Sequence, residues 1–231
     1  MINVINSDKR HFQDYDWLKT YWLFSFDSYY DPNNVQFGAL RVFNDDKVAS
    51  GQGFDMHRHR EMEIVSIVLS GAITHQDSLG NKERVKAGEV QVMSAGTGVR
   101  HSEFNLEQKE LHLYQIWILP NKSGLTPSYD QKDFSKIDKS NKLVAVASGK
   151  NDDDALYINS DARLLLGHLK KGKSLTHEAG QSDKVFIYVT DGELAVNENT
   201  LSAGYQARIE NESQITFSAV QSTNFVMIEL F

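Results

Sequence analysis

Gly51-Gln-Gly-Phe-Asp-Met-His57-Arg-His59-Arg-Glu-Met-Glu63, running on through Ile-Val-Ser-Ile-Val-Leu-Ser to Gly71, decides how the rest of the chain is read. Its second part, Met62–Leu69, is rich in β-branched side chains and stops near a glycine, the pattern of a buried strand closed by a turn. Its first part holds a His-x-His pair. On a strand, residues i and i+2 project to one face, so both imidazoles stand on the same side. Forty-two residues after His59 the chain reads Gly96-Thr-Gly-Val-Arg-His101-Ser-Glu103-Phe-Asn105, where His101 and Glu103 repeat that relation. Two strands that each offer two inward ligands would make a site of three histidines and one carboxylate inside a barrel. A lone His-x-His is an ordinary surface accident. Two such pairs, each beside a glycine-rich turn, point to a metal.

Working outward, strand signals recur at Val90–Met93, Leu111–Leu119, Leu143–Ala147, Val185–Thr190 and Phe225–Leu230. Turn clusters separate them at 77–82, 87–89, 121–127 and 191–193, and helical periodicity is hard to find. Many short strands between turns predict an all-β barrel or sandwich. Two stretches look alike: in each a hydrophobic strand ends at a glycine, Gly71 or Gly192, and an Ala-Gly turn follows, 17 residues on at Gly88 and 12 at Gly204. A repeat of that length implies a duplicated domain, not a solenoid. The polar segment 121–142 supplies a boundary, giving expected domains of 1–125 and 126–231.

The composition sets limits. The 231 residues carry 24 basic and 31 acidic side chains, a net charge of −7, and the chain is 40% hydrophobic and 24% charged. That is ordinary globular usage and the wrong sign for a nucleic-acid module working by charge. There is no cysteine and there are eight histidines, so any metal must be held by imidazole and carboxylate. Asp8, Lys9 and Arg10 interrupt any signal-peptide pattern, and the longest nearly apolar run, Leu111–Pro120, is far shorter than the ~18 residues of a membrane helix. A cytoplasmic monomer with no membrane or nucleic-acid partner is the expectation. The aromatic stretch Trp17–Tyr30 reads as core and a barrel-closing strand, because its single lysine among aspartates would repel phosphate.

With the motifs in view, a family emerges. Gly51-x5-His57-x-His59-x3-Glu63, closed by Gly71, resembles the first motif of the cupins, and Gly88-x5-Ser94-Ala95-Gly96-x4-His101-x3-Asn105 resembles the second. Serine stands where that motif has proline, and two extra residues precede the histidine. These departures, together with residues 25–46, 51–71 and 87–105, resemble the pirins, especially the bacterial pirin-like quercetin 2,3-dioxygenases.

The resemblance implies an all-β bicupin, two consecutive jelly-roll barrels, with a metal held by His57, His59, His101 and Glu103 in the N-terminal one. In most cupins the ligand carboxylate would be Glu63; in pirins it lies two residues after the third histidine. Glu103 is therefore taken as the ligand and Glu63 as a supporting carboxylate. The second half has no His-x-His, only His177 near the first-motif position, and is expected to be a degenerate, metal-free barrel. His11, His75, His112, His168 and His177 lack an evident partner at strand spacing and are assigned to surface, packing or supporting roles. Histidine and carboxylate suit Fe(II) first, with Mn, Ni, Co, Cu or Zn as alternatives. Four protein ligands on an octahedral ion would leave two adjacent positions for a substrate oxygen and dioxygen. The implied activity is dioxygenation of flavonols such as quercetin, with Glu103 accepting the 3-hydroxyl proton as catalytic base. An iron-binding, redox-sensing regulatory protein and a cupin enzyme with another small-molecule substrate remain alternatives. Phe54 is the best candidate for a pocket wall, ahead of Met56 and Phe37. Arg58 and Arg60, which alternate with the histidines, should point away.

Overall fold

The chain is described by a computed structural model covering residues 1–150, 152 and 154–231. Among these residues the only helical segment is one 3-10 turn, Ser7–Lys9, and none is long and apolar enough to cross a membrane. In chain order the strands begin with β1 (Ile2–Ile5), β2 (His11–Asp14), β3 (Leu18–Trp22) and β4 (Leu40–Val48). Then come β5 (Gly53–His59), β6 (Glu63–Ser70), β7 (Ala72–Asp77) and β8 (Lys82–Lys86). β9 (Glu89–Ser94), β10 (Val99–Phe104), β11 (Leu111–Ile118) and β12 (Ser128–Asp133) follow. The remainder opens with β13 (Lys142–Ser148), β14 (Leu156–Tyr157), β15 (Ala162–Leu169) and β16 (Ser174–Glu178). β17 (Lys184–Asp191), β18 (Glu193–Val196) and β19 (Asn199–Ser202) precede β20 (Gln206–Glu210), β21 (Gln214–Ala219) and β22 (Thr223–Leu230).

Two compact units result. The N-terminal unit comprises residues 10–136 and 156–160, and the C-terminal unit comprises 1–9, 137–155 and 161–231. The division differs from a single cut at residue 125 in both directions. Strand β12 lies past that cut yet pairs with β9, while β1, at the very start of the chain, pairs with β20. Both are edge strands added by long-range pairing, which leaves no local signal in the sequence.

The duplication read from the glycine pattern appears in full as topology. In the N-terminal unit one sheet runs β12-β9-β6-β11-β4-β3-β2 and the other β5-β10-β7-β8. In the C-terminal unit β1-β20-β17-β22-β15-β13 repeats the first six strands of the larger sheet in order, and β16-β21-β18-β19 repeats the smaller one. Gly71 and Gly192 occupy equivalent hairpins after β6 and β17, at φ of +78° and +76°. A β-carbon at Gly192 would sit 2.2 Å from the Ser222 carbonyl oxygen, so only glycine closes that hairpin without strain.

What fills the two barrels differs. In the C-terminal unit Leu165, Val185, Ile187, Ile215, Phe217 and Met227 belong to one apolar core, with Leu175 packed against it. In the N-terminal unit Leu18, Val48, Val68, Ile73, Leu111 and Leu113 form a cluster in one place, and Ile64, Met93, Ala95 and Val99 form another. Between them in sequence lie buried polar residues in mid-strand: Thr20, Asn44, Asp46, Ser66, Gln91 and Gln115. Four are in register across the sheet, Gln91 opposite Ser66, Ser66 opposite Gln115, and Gln115 opposite Asn44. Burying such groups is unfavourable unless something engages them.

Candidate metal centre

Strand β5 supplies His57 and His59, and both are half-buried, while Arg58 and Arg60 are exposed, as the alternation requires. Strand β10 supplies His101 and Glu103, each 1% exposed. The two strands pair with His101 opposite His57, but the register then slips and Glu103 faces Phe54. The extra residue is a bulge in β5, a device that re-aims side chains beside a site. Gly53 lets this happen, because a β-carbon there would lie 2.2 Å from the Glu103 carbonyl oxygen. A substituent at Gly53 would push the ligand-bearing strands apart.

The three imidazoles converge, with ring centroids 4.5–4.8 Å apart. His57 Nδ1 donates to the Asp55 carbonyl at 2.7 Å, which leaves its Nε2 lone pair directed at the cluster. That Nε2 lies 3.1 Å from Nε2 of His101. Two nitrogens at right angles on one ion, each at about 2.1 Å, stand roughly 3.0 Å apart, so the pair fits neighbouring positions on a single cation. His101 Nδ1 is buried without a hydrogen-bond partner. Burial, reinforced by their neighbouring histidines and opposed by Glu103, pushes His59 down to about 4. Burial pushes His101 down to about 4 as well, against the pull of Glu103. Neutral imidazole is the form that binds a metal.

Glu103 sits beside His101 and His75. Gln115 Nε2 donates to its Oε2 at 2.8 Å, and Gln91 Nε2 donates to Oε1. Burial opposes its charge, but His75, His101 and Gln91 outweigh that and hold the carboxyl at about 2. The carboxylate is thus fixed as an anion by residues on β7, β9, β10 and β11.

His75 corrects the sequence reading, which gave it no partner. It is fully buried on β7, opposite Glu103, with Nε2 3.2 Å from Asp77 and its ring stacked on Tyr129 at 4.5 Å. Burial disfavours its charged form, yet Glu103 and Asp77 together raise its pKa. The signal was in the chain: His75-Gln-Asp77 is another i, i+2 pair. Gln91 and Gln115 were also missed, each a lone polar residue inside an apolar strand.

The other histidines pack or pair elsewhere. His11 stacks on Tyr29, while His112 meets Asp45 at 2.7 Å, His168 meets Asn224 at 2.9 Å and His177 meets Glu229 at 3.1 Å. Glu63 lies apart from the imidazoles: Ser94 Oγ donates to it at 2.7 Å and the Asn159 amide at 3.0 Å, so it ties the segment 156–160 to the N-terminal unit. In the C-terminal unit the strands equivalent to β5 and β10 pair Leu175 with Phe217 and His177 with Ile215, so three of these four side chains are apolar and the histidine is turned to Glu229.

A cavity of about 910 Å³ opens beside the imidazoles, within the usual range for small-molecule sites. Trp17, Trp22, Phe26, Phe54 and Trp117 line it. Their rings meet edge to face, Trp17 on Phe54, Trp22 on Phe26 and Phe26 on Trp117, each at 5.3 Å, and Trp117 also meets His59 at 4.8 Å. Phe54 and Met56 are walls, as their position suggested, whereas Phe37 is buried and outside the lining. The aromatic stretch Trp17–Tyr30 supplies core and the sheet strand β3, as expected, and in addition part of the cavity wall. Leu23 and Phe24 are core, but Trp17, Trp22 and Phe26 face the cavity.

The depressed histidines set a pH dependence. A group held at about 4 stays neutral as pH falls through 6.5, so protons do not compete for its lone pair until much lower. Metal loaded at pH 7 is expected to stay bound down to about pH 5 and to leave below about pH 4. Equilibrium dialysis across that range checks it; half-release near pH 6.5 contradicts it.

The family model described as Pirin matches residues 5–118, and one described as Quercetinase C-terminal cupin domain matches residues 145–230. A pirin-like protein of Caulobacter vibrioides is 48% identical over 230 residues, 99% of both chains. A quercetin 2,3-dioxygenase of Escherichia coli K12 is 40% identical over 231 residues, 100% of this chain and 99% of that one. The crystal structure of the bacterial pirin YhhW from Escherichia coli, in complex with nickel(II), superimposes with a TM-score of 0.95 at 40% identity, covering 100% of this chain and 99% of that one.

Proposed function

The chain belongs to the pirin family, and on that premise we propose that it is a metal-dependent dioxygenase that opens the heterocycle of flavonols such as quercetin. One observation carries the reading: a cavity walled by aromatic rings is lined by His57 and His59, two of three converging imidazoles, and by the buried carboxylate of Glu103. The ligands are His57, His59, His101 and Glu103, and the metal is a single divalent transition ion, Fe(II) in the first instance. The C-terminal barrel, filled by apolar side chains, holds none. When bound, such an ion acidifies a coordinated hydroxyl and brings dioxygen within reach of it.

The chain's own residues do the rest. Trp17, Trp22, Phe54 and Trp117 take the flat rings of the flavonol by stacking and burial, excluding water. Glu103, ionised throughout the working pH range, accepts the proton of the flavonol 3-hydroxyl. Gln91 and Gln115 keep its oxygens aimed, and His75, braced by Asp77 and Tyr129, packs behind it. Orienting the substrate oxygen in this way converts an encounter into a positioned reaction.

Incubation of the metal-loaded protein with quercetin in air should bleach the flavonol absorbance with matching oxygen uptake, and anaerobic incubation should not. Unchanged flavonol in air overturns the enzyme reading, and redox-dependent capture of a protein partner by the same sample would then favour a regulatory one.

A further inference from the structure

The wall of the cavity formed by β3 and β4 carries polar groups that the reaction above does not use. Asp46 is 2% exposed and its Oδ1 has no hydrogen-bond partner. Asn44 Oδ1 is likewise buried without one, while the Thr20 hydroxyl stands behind Asp46 and reaches only that carboxyl. The three are adjacent, for Thr20 stands opposite Asp46 on the neighbouring strand and Asn44 is two residues along β4 on the same face. Asn44 and Asp46 both line the cavity, and Asn44 is directly opposite Gln115, which holds Glu103. Unpaired buried acceptors are rare because each forfeits its hydrogen bonds to water without compensation. Two in one wall of this cavity, Asp46 Oδ1 and Asn44 Oδ1, call for an outside partner.

We propose that Asp46 and Asn44, with Thr20, form a second polar subsite that accepts hydrogen bonds from ring hydroxyls of the substrate remote from the oxygen that meets the histidines. This rests on the flavonol reading and deepens it. The substrate class becomes a planar polyphenol gripped at two points, one hydroxyl at the imidazole cluster and a further hydroxyl at Asp46, with the rings between them on tryptophan. A site built to bond a hydroxyl discriminates strongly against an analogue without it, because its own polar groups are then left unpaired. Burial also raises Asp46 to about 7, so near neutrality the group is available both as carboxylate and as carboxyl. Either form accepts a hydrogen bond.

The test is binding, read anaerobically by quenching of the cavity tryptophans, with quercetin and with 3-hydroxyflavone, which lacks the remote hydroxyls. The wild type should bind quercetin at least tenfold more tightly. Asp46→Leu should weaken quercetin about tenfold or more and shift 3-hydroxyflavone less than twofold, and Asn44→Leu should do the same to a smaller degree. The melting temperature of Asp46→Leu should hold or rise, because the variant removes a carboxyl whose charge burial disfavours. A fall in melting temperature with equal loss of both ligands makes Asp46 merely structural and overturns the subsite. Unchanged binding of both ligands overturns it too. If neither flavonol quenches the wild type, the flavonol reading itself fails and the subsite falls with it.

Discussion

His57→Ala/His101→Ala should purify with less than a tenth of the metal carried by the wild type and should leave quercetin intact in air. The two side chains lie directly opposite each other on β5 and β10 and present Nε2 atoms 3.1 Å apart. Removing both leaves His59 and the Glu103 side of the cluster, too few groups to hold a divalent ion against competing buffer. Loss of an outer hydrogen-bonding group alone typically costs 10–100-fold in metal affinity, so loss of two ligands exceeds that comfortably. The substitutions should not unfold the barrel. His57 is half-buried on an edge strand, and His101 is an uncharged group squeezed against like neighbours, so its removal relieves as much as it costs. Elemental analysis beside a thermal melt separates the cases: a folded variant with wild-type metal content would place the ion elsewhere.

Those two histidines were legible because strand geometry converts spacing into direction. Period two puts 57 with 59 and 101 with 103, and no knowledge of tertiary contacts is needed. The duplication was legible for a related reason, since Gly71 and Gly192 are forced to be glycine by left-handed turns that recur at equivalent hairpins. What resisted reading was whatever depends on which strands become neighbours. β7 lies between β8 and β10, so His75 meets Glu103 only once the small sheet exists. Gln91, Ser66 and Gln115 are polar residues within largely apolar strands and Asn44 begins the polar run of β4; far apart in sequence, the four become a continuous row only through register. The edge strands β1 and β12 moved the unit boundary for the same reason: pairing across long loops is decided by tertiary packing, not by local propensity.

Glu103→Gln tests the other half of the site, and turnover of quercetin should fall by about 10²–10⁴-fold, the usual worth of a positioned proton acceptor. Glutamine keeps the shape and one acceptor oxygen, but it removes the negative charge and turns an amide toward Gln91 or Gln115, which already donate to that carboxylate. Melting temperature should fall too, since two amide donors would then meet a third. The pH profile distinguishes roles. Because Glu103 is held at about 2, it is ionised at every pH the protein is expected to survive, and its own titration cannot form the acid limb of the rate profile. Glu103→Gln should therefore scale the profile down without moving that limb. A limb that moves would mean the carboxyl titrates in the working range. Gln115→Leu provides the graded case. It removes the donor to Oε2, so the carboxyl should rise toward its ordinary value and become a better base, while losing its fixed aim. If aim matters more than basicity, Gln115→Leu lowers kcat with little change in KM; if basicity matters more, kcat rises. The geometry favours aim. Two amides hold this anion in one orientation and, by stabilising it, weaken it as a base. It is suited only to a hydroxyl whose acidity has already been raised, and the protein has given up basicity to hold the acceptor where that proton leaves.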